Sequence, residues 1–425
     1  MAEYGFDTLS VHAGAQPDPA TGARITPIYQ TASYVFDNAD QAASRFGLRE
    51  FGNIYSRLTN PTNSVLEERI AALEGGSAAV AVSSGHAAQF LTLFALLSPG
   101  DEYVAATQLY GGTINQFSNT FQQFNWHVKW ADGTHPDSIK RQITPKTKAI
   151  WIESIANPGG IITDIEAIAK IAHDADVPLI VDNTLATPYL IRPFEWGADI
   201  IVHSGTKFLN GHGNSIVGLV VDSGKFNFGN GKYPLITEPN PSYHGLKFWE
   251  TFGQNLAFAV VIRALGLRDI GPTLSPFNAF LTINGIETLG LRVQRHSDNA
   301  LAVAKWLKKH PKVTWVNYAG LEESASYALY RKYSPKGAGS VFTFGVKGGF
   351  EAGKKLVDSV KLFSHLANIG DTRSLIIHPA STTHSQLTPG ELEKAGAGPD
   401  VVRLSIGIEN VDDIIADLDQ GLGET

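Results

Sequence analysis

Cysteine is absent from this 425-residue chain, which excludes disulfides, thiolate metal sites and cysteine nucleophiles. Basic charge is also scarce: 34 Lys and Arg stand against 41 Asp and Glu, for a formal charge of −7. Phosphate-backbone recognition needs a basic surface, and no Lys/Arg run is present, so a nucleic-acid partner is not expected. Small anionic substrates would need a local basic pocket instead. Long apolar runs are missing too. Stretches such as residues 90–97 fall well short of the roughly 18–20 residues of a bilayer span, and the amino terminus lacks a basic-then-apolar leader. The expectation is a cytoplasmic protein with no membrane role. Internal repeats and low-complexity tracts are likewise not found.

What is present suits a soluble globular protein. Hydrophobic residues make up 43% and charged residues 18%, enough for a large ordered core, and the length suggests about two to three compact units. Residues 1–60 are rich in Gly, Pro, Thr and Asn without sustained periodicity and read as an extended arm. From residue 61, short β-branched runs alternate with helical stretches: 79–83, 102–106, 149–153, 178–182, 199–203 and 216–221. These read as buried parallel strands. Between them, Ile165, Ile168, Ile171 and Ala172 share one helical face, as a helix crossing over a sheet requires. Residues 246–295 carry helical spacing, and a strand at 340–346 followed by a helix at 350–363 suggests a smaller α+β unit. The fold class is α/β, a mainly parallel central sheet flanked by helices, divided into an arm (1–60), a large domain (61–279) and a small C-terminal domain (280–425).

Three short motifs at predicted strand ends carry chemistry. Ser204-Gly205-Thr206-Lys207 follows the run 199–203 and precedes Asn210-Gly211-His212-Gly213. A lysine at a strand's carboxyl end, partly desolvated, can attack an aldehyde carbon, and the Ser204 and Thr206 hydroxyls can reach a phosphate. Alone, the tetrapeptide reads first as a turn with a loop lysine. Asp182 closes another strand run, one helical crossover before Lys207. A carboxylate there can keep a pyridine nitrogen protonated, or simply cap a helix. Ser83-Ser84-Gly85-His86 lies between a strand and a helix, where backbone amides form an anion site or merely a tight turn. The three together, in this order, describe a pocket for pyridoxal 5'-phosphate (PLP).

With these residues the chain resembles the cystathionine gamma-synthase-like Cys/Met metabolism PLP enzymes of fold type I. The likeness runs from Thr8–Gly14 to Val402–Glu409, through Tyr55–Thr62, Val181–Thr184, Ser204–Lys207 and His378–His384. It implies that Lys207 forms the Schiff base, Asp182 partners the ring nitrogen, and Tyr110 stacks on the cofactor and can take a proton. It further implies that Gly85, His86, Ser204 and Thr206 bind the phosphate, joined by Tyr55 and Arg57 from a neighbouring subunit. Asn157 would stand near the ring hydroxyl, and Arg403, Asn368 and Tyr55 would hold substrate. Read structurally, Tyr55 and Arg57 are a surface pair and Arg403 a solvent-facing strand residue. The implied assembly is a homo-oligomer with shared sites, a tetramer in this family.

Two further signals are set aside. The run Gly348–Lys354 imitates a phosphate loop, but Lys355 stands where Ser or Thr is needed, so a strand-to-helix turn is expected. His203, His212, His378 and His384 lack ligand spacing with an acidic companion, so no metal is expected. Within the family, Gly112 occupies the place of the cysteine that methionine gamma-lyases carry, and residues 234–259 resemble an insertion of the sulfhydrylase branch. The resemblance therefore implies a transferase of methionine biosynthesis, replacing the γ-acetoxy group of O-acetyl-L-homoserine with sulfide or methanethiol. The alternatives are cystathionine gamma-synthase or methionine gamma-lyase activity, or a catalytically silent binding subunit.

Overall fold

A computed structural model describes residues 4–382, 385 and 396–425. Its centre is a seven-stranded sheet: β1 (Ala78–Val82), β2 (Glu102–Ala106), β3 (His127–Ala131), β4 (Thr147–Glu153), β5 (Leu179–Asp182), β6 (Ile200–Ser204) and β7 (Gly218–Asp222), in the spatial order β1-β7-β6-β5-β4-β2-β3. The inner strands are buried on both faces, which explains their unbroken apolar runs. β3 escaped the sequence reading because it is an edge strand, half-exposed along most of its length.

One expectation needs correction. β7 is not parallel: it pairs antiparallel with both β6 and β1. A parallel return needs a crossover, usually helical, whereas residues 205–217 form a loop that turns back at the edge where β6 ends. That loop carries Lys207. Apolar periodicity reports burial and is blind to strand direction, so the sequence could not reveal the reversal.

The crossover helix Ile165–Asp174 buries Ile165, Ile168, Ala169 and Ala172, with Ala169 taking the place expected for the half-buried Ile171. The arm is less extended than expected. It contains helices Phe6–His12 and Ala39–Phe46. The first is anchored by the buried Arg69 guanidinium, which donates to the carbonyls of Val11 and Ala13 at its carboxyl end. The second is capped by Asn38, whose side chain accepts from the Gln41 amide. Helices this short are marginal alone, and the long-range anchor of the first is invisible in sequence.

A second sheet holds β8 (Val313–Asn317), β9 (Val341–Val346), β10 (Ser364–His365), β11 (Leu375–Ile377) and β12 (Val401–Ser405), ordered β10-β11-β12-β9-β8. Gly348 turns β9 into the helix Gly349–Ser359, which accounts for the phosphate-loop mimic. Among the described histidines considered as ligands, His203 bonds Glu74, His212 bonds the Asn210 carbonyl, and His378 bonds Ser381 and the Pro399 carbonyl. Thr383 and His384 lie outside the described residues.

Under the Lys207 loop sits Arg292, 5% exposed. Its guanidinium donates to the carbonyls of Phe208, Leu209 and Gly285. Burial pushes its pKa down to about 10. Replacing Arg292 by Met removes this donor from the Phe208 and Leu209 carbonyls, while Gly285 keeps its bonds from Thr288, so the unfolding free energy should fall by about 2–4 kcal/mol in denaturant titration. A loss below about 0.5 kcal/mol would contradict this account of the loop.

Candidate active site

β1, β2, β4, β5 and β6 contribute to the site at their carboxyl ends, the edge where open α/β sheets bind ligands, and the antiparallel β7 meets it at its amino end through Ile216. One cleft there is lined by Gly85, His86, Tyr110, Asn157, Asp182, Ser204, Thr206, Lys207, Asn368 and Arg403. All the expected single-chain site residues are thus brought together. Tyr55 and Arg57 are not among the residues lining it. They lie in the arm, with the Arg57 guanidinium 5.4 Å from the Tyr55 ring centroid, and Arg57 bonds the Arg268 carbonyl.

β5 and β6 are adjacent and parallel, with Asp182 in register with Val202, so the aspartate and the lysine emerge from neighbouring strands. Burial, with the charge of Arg403 second, holds the Lys207 ammonium down to about 8. Its Nζ donates to Asn368 Oδ1 at 2.5 Å. Asp182 is buried, which raises its pKa, while Thr184 opposes the shift by donating from its hydroxyl and backbone N–H to Oδ1 at 2.5 and 3.0 Å. Both bonds fall on the same oxygen.

The helix Gly85–Leu96 starts at this edge, and Ser84 caps it by accepting from the Ala87 N–H at 3.1 Å. Its first N–H groups, those of Gly85 and His86, precede any intrahelical partner and are placed for an anion. The Ser204 side chain packs against Gly85 so closely that a Cβ there would come within 2.9 Å of the Ser204 Cβ. The Thr206 hydroxyl is already engaged, accepting from the Val217 N–H at 2.9 Å, so it has less capacity left for a phosphate than Ser204.

The second sheet closes the cleft. Arg403 is central in β12, paired with Ile377 and Thr343, and strand alternation turns it away from the buried Val402 and Leu404 toward the cleft. It donates to Asn157 Oδ1 at 3.3 Å and to the Asn368 carbonyl at 3.2 Å. Burial lowers its pKa to about 10, leaving it cationic at neutral pH. The solvent-facing reading of this arginine is excluded.

A neutralisable amine, a buried carboxylate, free helix-start amides and a guanidinium match the aldehyde, pyridine nitrogen and phosphate of PLP and the carboxylate of an amino acid. The donor set fits the cofactor. Glu153, Gln89 and Thr184 also line the cleft and were not singled out in sequence. The available signal for Glu153 was an acid closing the strand run 149–153. Residues 234–259 do not line the cleft; their helix Phe248–Val261 packs beside β1 and β7.

Only a neutral amine attacks an aldehyde. With Lys207 deprotonating near 8, covalent PLP uptake by the apo-protein should accelerate with rising pH to a plateau with its midpoint there. A midpoint near the ordinary lysine value would contradict the placement of Lys207. Gly112 leaves room for Tyr110: a Cβ would stand 2.4 Å from its ring Cε1. A crystal structure of Gly112→Ala should therefore show the ring displaced, and an unmoved ring would refute the close packing.

Relatives fit this geometry. The chain is 52% identical over 424 residues to an O-acetyl-L-homoserine sulfhydrylase of Leptospira meyeri, covering 98% of this chain and 96% of that one. It is 50% identical to a homocysteine synthase of Schizosaccharomyces pombe, covering 98% of each. A solved Campylobacter jejuni structure, a candidate O-acetylhomoserine (thiol)-lyase holding a pyridoxyl-lysine monophosphate, superposes with a TM-score of 0.95 at 42% identity, covering 99% of this chain and 100% of that one. The family model for Cys/Met metabolism PLP-dependent enzymes matches residues 7–423, and the chain belongs to that family.

Proposed function

We propose that this protein replaces the γ-acetoxy group of O-acetyl-L-homoserine with sulfide, or with methanethiol, giving L-homocysteine or L-methionine and acetate. The observation that carries the reading is the lysine amine and buried aspartate on adjacent strand ends, with a guanidinium facing them from the second sheet. The choice of substrate draws on relatives bearing sulfhydrylase and homocysteine synthase names.

Bound PLP supplies an electron sink for negative charge at the substrate's α-carbon. Around it, the Gly85 and His86 amides with the Ser204 hydroxyl hold the phosphate, and Thr206 supports them. Asp182 holds a proton on the ring nitrogen, which a buried carboxylate does well because little water competes. Tyr110 would cover one ring face, and as the phenolate it would accept the proton of the incoming amine. Arg403 grips the α-carboxylate in the two-pronged geometry of a guanidinium, with Asn368 and Asn157 beside it. The Lys207 amine would take the α-proton and move protons at the β-carbon as the Cγ–O bond breaks and acetate leaves, and again as sulfide bonds to the γ-carbon.

Tyr55 and Arg57 complete the phosphate site of a neighbouring subunit in this proposal. The exposure of Tyr55 and its position outside its own chain's cleft support that role. The assembly is then a homotetramer of site-sharing dimers, divided as arm 1–60, large domain 61–279 and small domain 280–425. The cytoplasmic setting belongs to the same proposal.

Incubation with PLP, O-acetylhomoserine and sulfide should yield homocysteine. Accumulation of α-ketobutyrate without homocysteine would assign a lyase instead. Arg403→Lys keeps the charge and loses the fork, so KM for O-acetylhomoserine should rise about 10- to 100-fold; an unchanged KM would remove Arg403 from substrate binding.

A further inference from the structure

Glu153 has a different task from the acid beside it. It ends β4 directly opposite Asp182 in the β4–β5 register and is 3% exposed. Each of its carboxyl oxygens is committed to a different loop. Oε1 accepts the Tyr110 N–H at 2.7 Å, and Oε2 accepts the Asn157 N–H at 2.9 Å. The first loop follows β2 and the second follows β4, and both of these residues line the cleft. The residue is itself held, because its carbonyl accepts the Thr163 hydroxyl at 2.7 Å.

This arrangement is costly. A carboxyl group is buried next to another, and burial first, then the Asp182 charge, raises the Glu153 pKa well above the ordinary range. Two backbone amides need only two acceptors, which neutral groups or water can supply. What a rigid carboxyl adds is a fixed separation between the two amides, since its oxygens belong to one planar group. We propose that Glu153 is a positioning residue: it clamps the Tyr110 and Asn157 loops at one spacing around the cofactor ring and acts on PLP through those two side chains.

The inference rests on the PLP assignment and is tested on the PLP-loaded protein. Glu153→Gln presents an NH2 donor to one of the two N–H groups and opens one side of the clamp. Its PLP dissociation constant should rise about tenfold and its visible circular dichroism weaken, while the unfolding midpoint of the PLP-free protein stays close to that of the parent. In a Tyr110→Ala, Asn157→Ala background, the same substitution should change PLP affinity less than about threefold, because the side chains it acts through are gone. Parent-like affinity and dichroism in Glu153→Gln, or a full effect persisting in that background, would overturn the inference. If the Gln variant does not fold, Glu153→Asp, too short to span both amides, is read by the same outcomes. Parent protein that gives no visible dichroism with PLP would overturn the cofactor assignment itself, and the inference with it.

Discussion

Two carboxyl groups, Glu153 and Asp182, end neighbouring parallel strands in register and lie buried within one cleft. Burial, with the Asp182 charge second, raises the Glu153 pKa well above the ordinary range, yet each acid has its own hydrogen-bond donors. Glu153 takes two backbone amides, and Asp182 takes the hydroxyl and amide of Thr184. Their separate satisfaction fixes the loops that follow β2, β4 and β5. Behind them, His203 and Asn183 both bond the buried Glu74, and Asn183 also accepts from Ser154. The strand ends are thus tied together below the cleft as well as within it.

The same economy governs the lysine. Its loop replaces a helical crossover, which makes β7 antiparallel and returns the chain at the edge where the chemistry lies. Arg292 holds that loop by its carbonyls from below, while Arg403 faces the amine from the second sheet and helps lower its pKa. Neither arginine has an acidic partner in the described hydrogen bonds. Each is spent on neutral oxygens, carbonyls and the Thr288 hydroxyl for Arg292 and a carbonyl and a side-chain amide for Arg403, so that Arg403 keeps its charge available to an incoming carboxylate.

Much of this was legible in the residues. The Lys207, Asp182 and Gly85 motifs fall at strand ends because buried parallel strands leave unbroken apolar runs whose termini can be read. Glu153 ends a strand run as Asp182 does, but no lysine motif lies one crossover beyond it to mark it, and its role shows only in the loops that fold over it. The reversal of β7 and the edge strand β3 were hidden for different reasons, the first because direction leaves no trace in periodicity, the second because its half-exposed face breaks the apolar run. The arm helix Phe6–His12 depends on Arg69, dozens of residues away, and no local pattern announces that bond. Residues 234–259 carry family resemblance yet lie outside this chain's own cleft.

The central claim is covalent: one particular amine holds the cofactor. Borohydride reduction of the PLP-loaded protein, followed by proteolysis and mass mapping, tests it most directly. The account predicts a pyridoxyl adduct on the peptide containing Lys207 and on no other lysine. Stable labelling at a different lysine, with Lys207 unmodified, would contradict it.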